Sequence, residues 1–147
     1  MEKNYHALIQ DRIFMGGAVD IEALVKNEGV EVVVDLREES QGCAYEGAEA
    51  AGVQWIKVPL GDNATEPEAD LFGHAIDHVI QAYEAGKKVA FHCGGGKGRT
   101  GTVAVGTLYK LGLAPTLEQA NEQATAIRPV LKVKEDQWAS LRTLFQM

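Results

Sequence analysis

A cysteine and an arginine in a glycine-rich segment carry the clearest chemical signal in this 147-residue chain. Cys93 follows the apolar run 89–91 and His92, and Arg99 is followed by Thr100 and a stretch typical of a buried helix. The sequence therefore predicts a strand-to-helix turn, where backbone N–H groups and the helix N-terminus attract anions. The same field lowers the pKa of a thiol. One loop could thus bind an oxyanion and attack it.

Each residue type in this loop suits a step of phosphate chemistry. A Cys93 thiolate could attack phosphorus and form a covalent intermediate. The planar Arg99 guanidinium matches two phosphate oxygens and stays charged. The Thr100 hydroxyl could donate to the sulfur, and glycines let the backbone approach an oxyanion closely. No metal and no cofactor are required. The expected phosphate-binding residues are Gly94, Gly95, Gly96, Lys97, Gly98 and Arg99.

Segment 92–101 resembles the catalytic motif of the cysteine-based protein tyrosine phosphatases, which is His-Cys, five further residues, Arg and Ser or Thr. The resemblance implies that His92 holds the loop and tunes the thiol. A nucleotide-binding P-loop does not fit, because it needs glycine five residues before its lysine and Ser or Thr after it. At those positions around Lys97 the chain has His92 and Gly98.

Cleavage of a phosphate ester also needs a proton for the leaving oxygen, and Asp62 is the predicted general acid. It follows a predicted strand and precedes Cys93 by 31 residues. This separation resembles that of the small dual-specificity phosphatases, whose likeness extends over nearly the whole chain. Alternatively, Asp62 only stabilises a turn. Glu66, Glu68 and Asp70 compete for the role, but their predicted helical position aims them less freely at a substrate.

Hydrolysis of a phosphocysteine requires an oriented water molecule. Gln137, near the start of the last predicted helix, resembles the glutamine or asparagine that the family carries in this region. Arg128-Pro129 precedes it, as in small family members. A solvated glutamine at a helix start is an equal alternative, and Asp62 could position the water unaided.

Lys97 bears on the choice of substrate. Its loop resembles that of the tensin-type lipid phosphatases, which also carry a lysine where this chain has Gly94. A single lysine more simply attracts any anion, so phosphotyrosine or mixed phosphoprotein substrates are expected. One alternative is an inositol-phosphate or phosphoinositide phosphatase with the same chemistry. Another is a phosphate-binding module without turnover.

Composition fits one catalytic domain over residues 1–147, with 46% hydrophobic and 24% charged residues. No apolar run approaches the roughly 18 residues of a membrane span, and the first residues lack the apolar core of a secretory signal. The net charge of −7 argues against nucleic-acid partners. A nucleophilic thiol suits a reducing compartment, so a cytoplasmic protein is expected. The oligomeric state stays open, and a monomer is compatible with the sequence.

Apolar periodicity predicts strands and helices in alternation, and hence an α/β fold with a mostly parallel central sheet flanked by helices on both faces. The nucleophile then lies at the carboxyl end of a strand, where such sheets bind ligands. Thr65 and Thr116 each have Glu or Gln three residues later and are expected to cap helices. The predicted strands cover 12–17, 30–36, 54–60 and 89–91; the predicted helices cover 20–27, 44–51, the segment between Thr65 and Gly86, 102–109, the segment from Thr116 to Arg128, and 134–145.

Two further segments bear on the surroundings of the loop. Cys43 lies in a predicted loop, and some relatives protect their nucleophile through a disulfide to a second cysteine. The sequence leaves a Cys43–Cys93 pairing open. The segment 35–39 resembles a strand end found in many dual-specificity phosphatases, and a structural role is expected for it.

Overall fold

The structure is a computed structural model, and it describes residues 4–61 and 64–147. Strands and helices alternate through most of this part of the chain. In chain order the elements are β1 (His6–Ile9), β2 (Ile13–Gly17), a short 3-10 helix (Ala18–Asp20), α1 (Ile21–Glu28), β3 (Val32–Arg37), β4 (Gln54–Leu60), α2 (Glu68–Glu84), β5 (Val89–Cys93), α3 (Gly98–Lys110), α4 (Leu117–Ile127) and α5 (Glu135–Leu144).

The strands form one sheet in the order β1-β2-β5-β3-β4. Strands β2, β5, β3 and β4 run parallel, and only β1, at the edge, is antiparallel to its neighbour β2. The mostly parallel sheet predicted from the sequence is therefore confirmed. Strand β5 lies at the centre, so Cys93 at its carboxyl end has β2 on one side and β3 on the other.

Successive strand residues point to opposite faces of the sheet, and both faces are covered by helices. On one face, Phe14, Val33 and Ala90 pack with Ile21 and Leu24 of α1. The neighbouring strand positions pack on the other face against the helices that follow β4, and α2 and α3 contact strands there. The buried strand and helix residues on this second face include Met15, Val34, Phe91, Phe72, Ile76, Val103 and Leu141.

The predicted helix over 44–51 is wrong, because this segment forms consecutive turns. The N–H of Ala51 donates to the Gly47 carbonyl and that of Gly52 to the Glu49 carbonyl, both at 3.0 Å. Isolated segments this short are marginal as helices, and an interior glycine costs about 1 kcal/mol more. Ala48 is buried and Ala44 and Tyr45 pack against the core, but these contacts do not make the segment a helix, and it stays a series of turns.

The predicted cap at Thr65 is also wrong, whereas the one at Thr116 is confirmed. Helix α2 begins at Glu68 after Pro67, and no side chain caps its N-terminus. Proline disfavours helical geometry in the residue before it, so the helix cannot begin at Thr65. In α4, by contrast, the Gln119 N–H donates to the Thr116 hydroxyl at 3.0 Å.

Strand β1 was not predicted, since four residues at a sheet edge give too short a pattern to recognise. It pairs with β2 and brings Asn4 and His6 near the loop that follows β5. Among the residues that the structure describes, no helix has the length and apolarity needed to cross a membrane.

Candidate active site

The site is built where the central strand β5 gives way to helix α3. Cys93 is the last residue of β5 and is only 3% exposed. The next four residues form a tight loop before α3 begins at Gly98. The Ala18 N–H donates to the Gly94 carbonyl at 3.0 Å and ties the loop to the end of β2. Gly96 adopts a left-handed φ of 73°, which side chains rarely tolerate.

This geometry directs donors at the Cys93 sulfur. Burial by itself raises the pKa of the Cys93 thiol, but hydrogen bonds from the Thr100 hydroxyl and from the backbone N–H groups of Thr100, Gly96 and Lys97 outweigh it. The pKa is therefore lowered overall. The Thr100 hydroxyl lies 3.1 Å from the sulfur and is itself fully buried. The sulfur is thus prepared to exist as a thiolate.

His92 lies under the loop, fully buried, and does not line the cavity at the sulfur. Its Nδ1 is 3.0 Å from the Cys93 carbonyl, so Nδ1 carries the proton and donates. Nε2 lies 3.7 Å from Asp35, a carboxylate that also receives hydrogen bonds from Arg37 and Trp55. Burial lowers the pKa of His92, which favours the neutral ring. Asp35 and Arg37 of segment 35–39 thus have the structural role expected for this segment, because they form a hydrogen-bonded network beside His92.

Arg99 does not stand free in the cavity. Its two terminal nitrogens each donate to one carboxylate oxygen of Glu39 at 2.8 Å. The same guanidinium donates to the Leu60 carbonyl at 2.9 Å and to the Leu36 carbonyl at 3.4 Å. The hydrogen bond from Arg99 lowers the pKa of Glu39 to about 2. A bidentate carboxylate thus occupies donors that would also suit phosphate.

Gln137 lies at the start of α5, against the loop. Its Oε1 accepts from the Lys134 N–H at 2.9 Å, and the side chain is buried rather than solvated. Both amide atoms would lie 3.3 Å from a Cβ placed on Gly98. Gln137 therefore supports the helix start and also forms part of the cavity wall.

The cavity above Cys93 has a volume of about 660 Å³. Its cationic lining residues are Lys97, Arg99 and Lys134. Carboxylates outnumber them on the wall, which makes the cavity a mixed electrostatic environment rather than a purely basic one. The acidic lining residues are Glu38, Glu39, Glu68 and Asp136.

The predicted general acid Asp62 lies outside the described residues, between Gly61 and Ala64. Gly61 itself lines the cavity. Of the three competing carboxylates, Glu68 alone is part of the cavity wall. Burial, followed by the proximity of Asp136, raises the pKa of Glu68, while the Ser140 hydroxyl donates to it at 2.6 Å. Asp70 and Glu66 do not line this cavity.

The sequence did not indicate that Glu39 and Arg128 belong to the site. Glu39 was seen only as part of a structural segment, and no local pattern shows that it reaches Arg99, which is 60 residues away. Arg128 was noted only as part of an Arg-Pro pair, yet its guanidinium donates to the Gly96 carbonyl at 2.9 Å. Its lone position at a helix end in apolar sequence was the one available signal. Cys43 is a free, half-buried thiol near Arg37.

Comparisons with known proteins agree with this geometry. Residues 16–113 match a family model described as "Tc-R-P: Polymorphic toxin system, DSP-PTPase phosphatase". A search of curated proteins found no match. Among solved structures the chain is similar to human DUSP28, with 21% identity, a TM-score of 0.79, and coverage of 99% of this chain and 95% of that one.

Two other solved structures show the same architecture. Tk-PTP in its active form has 26% identity and a TM-score of 0.78, and 99% of each chain is covered. PTPMT1 in complex with PI(5)P has 19% identity and a TM-score of 0.79, with 97% of this chain and 95% of that one covered. The range matched by the family model contains β5, the loop and the donors around Cys93.

Proposed function

Because this chain belongs to the DSP-PTPase phosphatase family of polymorphic toxin systems, and is a cysteine-dependent phosphatase of the dual-specificity type, we propose that Cys93 is its nucleophile. The observation that carries this assignment is the set of donors at the sulfur. The Thr100 hydroxyl at 3.1 Å and three backbone N–H groups stabilise a thiolate at the floor of the cavity. We infer that the same loop, residues 94–99, binds the phosphoryl oxygens.

The reaction proceeds by two displacements at phosphorus. The Cys93 thiolate forms a bond to phosphorus while the bond to the ester oxygen breaks, and the leaving oxygen takes a proton from a general acid. Water then attacks the phosphocysteine, losing a proton to the same group, and the sulfur departs as a thiolate. In both steps Arg99 and the loop N–H groups hold the equatorial oxygens. The thiolate-stabilising donors serve twice, because the sulfur is first nucleophile and then leaving group.

We assign the general acid to Asp62, which follows the cavity-lining Gly61. Asp62→Asn should lower kcat for phosphoesters with poor leaving groups by about 10²–10⁴-fold and remove one limb of the pH profile. Glu68→Gln is the matched comparison, since Glu68 is a second carboxyl in the same cavity. If Glu68→Gln changes the profile and Asp62→Asn does not, the acid is Glu68 instead.

Gln137 is proposed to orient the water that hydrolyses the phosphocysteine. Its buried amide lies against Gly98 and faces the cavity. Because Oε1 already accepts from Lys134, the amide N–H₂ group is the end available to the water. Gln137→Ala should slow breakdown of the intermediate more than its formation, which burst kinetics with para-nitrophenyl phosphate would separate. Equal slowing of both steps would leave Gln137 with the helix-start role alone.

The substrate is proposed to be a phosphorylated protein side chain. A cavity of about 660 Å³ accommodates a phosphotyrosine or a smaller phosphoester. Lys97 and Lys134 favour the alternative, an inositol phosphate, but four carboxylates on the same wall disfavour a polyanionic headgroup. Turnover of phosphopeptides measured beside inositol phosphates distinguishes the two. Faster turnover of the inositol phosphates would overturn the protein substrate.

The decisive experiment compares two cysteine variants in the para-nitrophenyl phosphate assay. Cys93→Ser should abolish turnover, because a serine hydroxyl is not ionised by these donors. Cys43→Ser is the matched control, since it removes the other free thiol and should retain wild-type activity under reducing conditions. Activity that survives in Cys93→Ser would overturn the assignment. Wild-type phosphate binding without turnover would indicate the binding module instead.

We also propose that residues 1–147 act as one catalytic domain in a reducing compartment such as the cytoplasm. Two free thiols, one of them prepared to ionise, support a reducing environment. The net charge of −7 disfavours nucleic acid as a partner. A monomer is compatible with the chemistry, because Cys93, Arg99 and Gln137 of one chain line the same cavity.

A further inference from the structure

Arg128 is a buried cation that the reaction described above does not use. It follows α4 as the cap residue and is only 5% exposed. Among residues 4–61 and 64–147, no carboxylate lies within ion-pair distance of it. Burying a guanidinium is costly unless its donors and its charge are compensated. The surroundings of Arg128 therefore indicate what it does.

The donors of Arg128 join three parts of the chain. Nε donates to the Gly96 carbonyl at 2.9 Å, within the phosphate loop. Nη1 donates to the Asn4 carbonyl and, at 3.0 Å, to Nδ1 of His6 in β1. Because a guanidinium only donates, the His6 ring presents a lone pair at Nδ1. The N-terminal edge of the sheet thus supplies acceptors that hold the cation against the loop.

Gly96 is the link from this cation to the nucleophile. It has a φ of 73° and lies between Arg128 and β2: a Cβ built on it would be 2.6 Å from Nη2 of Arg128 and from the Gly16 carbonyl carbon. While its carbonyl accepts from Arg128, its N–H donates to the Cys93 thiol. Arg128 therefore fixes the carbonyl of Gly96, while the N–H of the same residue points at the Cys93 sulfur.

Charge acts in the same direction as geometry. Burial lowers the pKa of Arg128, while the negative charges of Asp20 and of the Cys93 thiolate raise it. Asp20, whose carboxylate accepts from the Gly17 N–H at 2.8 Å, is the first of these two anions. The thiolate is the second, and the buried cation complements it without a direct ion pair.

We propose that Arg128 is a positioning residue for the phosphate loop, which fixes Gly96 with its N–H on the Cys93 sulfur and supports the thiolate by its charge. The role deepens the proposed function and rests on it only for the identity of the nucleophile. It differs from the role of Arg99, which lines the cavity and binds phosphate oxygens. Arg128 lies beneath the loop and touches no substrate.

The test measures the thiol directly. In a Cys43→Ser background, the rate of Cys93 alkylation by iodoacetamide is followed against pH for the parent and for Arg128→Gln, Arg128→Lys and Arg142→Gln. Arg142→Gln is the matched control, because it removes the same charge from an exposed position in α5. Circular dichroism and thermal melting establish which variants are folded.

Arg128→Gln should raise the pH at which Cys93 ionises and slow its alkylation below that pH by about tenfold for each unit. The kcat for para-nitrophenyl phosphate should fall with it, while Arg142→Gln matches the parent in both. Arg128→Lys keeps the charge and loses the Nε donor, so it should recover part of the reactivity. A folded Arg128→Gln with a parental alkylation profile would overturn the proposal.

Should Arg128→Gln fail to fold, Arg128→Lys decides. It must alkylate more slowly than the parent at acidic pH, and an identical profile would refute the link through Gly96. Alkylation needs no turnover, so this test is separate from the proposed function. If the parent protein has no phosphatase activity but Arg128→Gln still changes the alkylation of Cys93, the proposed function is overturned and the positioning role of Arg128 is supported.

Discussion

Two carboxylates of segment 35–39 act on the site in opposite ways. Asp35, in β3, is fully buried and accepts hydrogen bonds from Arg37 and Trp55. Glu39 extends into the cavity and binds both terminal nitrogens of Arg99. The first supports the structure, and the second competes with the ligand. At the scale of single residues, Glu39 thus sets the availability of Arg99, whereas the acidity of the thiol is set by Thr100 and the loop N–H groups.

Thr100 should be the largest single contributor among the donors that lower the pKa of Cys93. Thr100→Val removes the hydroxyl at 3.1 Å while keeping the volume, and hydrogen bonds to charged groups contribute about 1.5–3 kcal/mol. The thiol should ionise about one to two pH units higher, as read from alkylation rates. Thr107→Val is the control, because this buried hydroxyl of α3 has no hydrogen-bond partner among the described residues. Equal shifts in both variants would mean that the helix rather than the hydroxyl is responsible.

Glu39→Gln should strengthen the binding of inorganic phosphate. The substitution removes a negative charge that Arg99 now holds, so the anion no longer displaces a carboxylate. Because the pKa of Glu39 is about 2, the competition persists unchanged through neutral pH. Isothermal titration with phosphate at pH 6–8 measures the effect, with Glu49→Gln on the exposed turn segment as the charge-matched control. Weaker binding by Glu39→Gln would show instead that the carboxylate holds Arg99 in its binding orientation.

At the scale of elements, the site is the junction of β5 and α3, closed by the ends of neighbouring elements. The 3-10 helix that follows β2 holds the loop through Ala18. Strands β3 and β4 supply the carbonyls of Leu36 and Leu60 that accept from Arg99, and α5 presents Gln137. Parallel strands make this convergence inevitable, because their carboxyl ends meet at one edge. The loop itself depends on one backbone position that only glycine satisfies.

Gly96→Ala should disrupt that loop. A Cβ there would lie 2.6 Å from Arg128 and from the Gly16 backbone, at a φ of 73°. Gly112 is the matched control, since it has a φ of 77° with nothing within 4 Å. Gly112→Ala should cost only the left-handed strain, about 1–2 kcal/mol in urea unfolding, and retain activity. Gly96→Ala should lose more stability than Gly112→Ala and most of its kcat. If the two variants have the same stability and kcat, the loop accommodates the extra Cβ without loss of function.

At the scale of the whole molecule, stability at acidic pH depends on two buried titratable residues of neighbouring strands, Asp35 in β3 and His92 in β5. The pKa of Asp35 is raised by burial but lowered further by hydrogen bonds from Arg37 and Trp55, so it is low overall. The pKa of His92 is lowered by burial. Both groups bind protons more weakly when folded than when unfolded, and protonation therefore favours unfolding. Each group contributes fully to the folding stability when the pH is above its pKa in the unfolded chain, and this contribution is lost as the pH falls toward the lower folded pKa.

The melting temperature should accordingly fall below about pH 6.5 through His92 and again below about pH 4 through Asp35. Asp35→Asn should lose about 3–5 kcal/mol at pH 7, because it leaves Arg37 beside a neutral group. In this variant the melting temperature should also depend less on pH below about pH 4, where Asp35 titrates in the unfolded parent. Asp77→Asn is the control, as it breaks an exposed pair with Lys110 and should change little. Scanning calorimetry from pH 3 to 8 measures all three proteins.

The fold was largely predictable, and the misses have definite causes. Apolar strand patterns located β2, β3, β4 and β5, since buried parallel strands are nearly continuous runs of apolar residues. The segment 44–51 has helical spacing, yet it is short and has a central glycine, and it forms turns. Strand β1 exists only because β2 offers it a partner. Local patterns cannot report such partners.

The sequence by itself determined the chemistry, because Cys93, Arg99 and Thr100 are held by one short loop whose glycines and helix start act locally. Tertiary structure alone decided which distant groups reach that loop. Glu39 arrives on Arg99 from 60 residues away, and Arg128 on Gly96 from 32. Such contacts depend on which strand ends and helix ends meet at the sheet edge. The acidity of the thiol therefore follows mainly from donors close to Cys93 in the chain, whereas charge and burial at the sheet edge set how free Arg99 is.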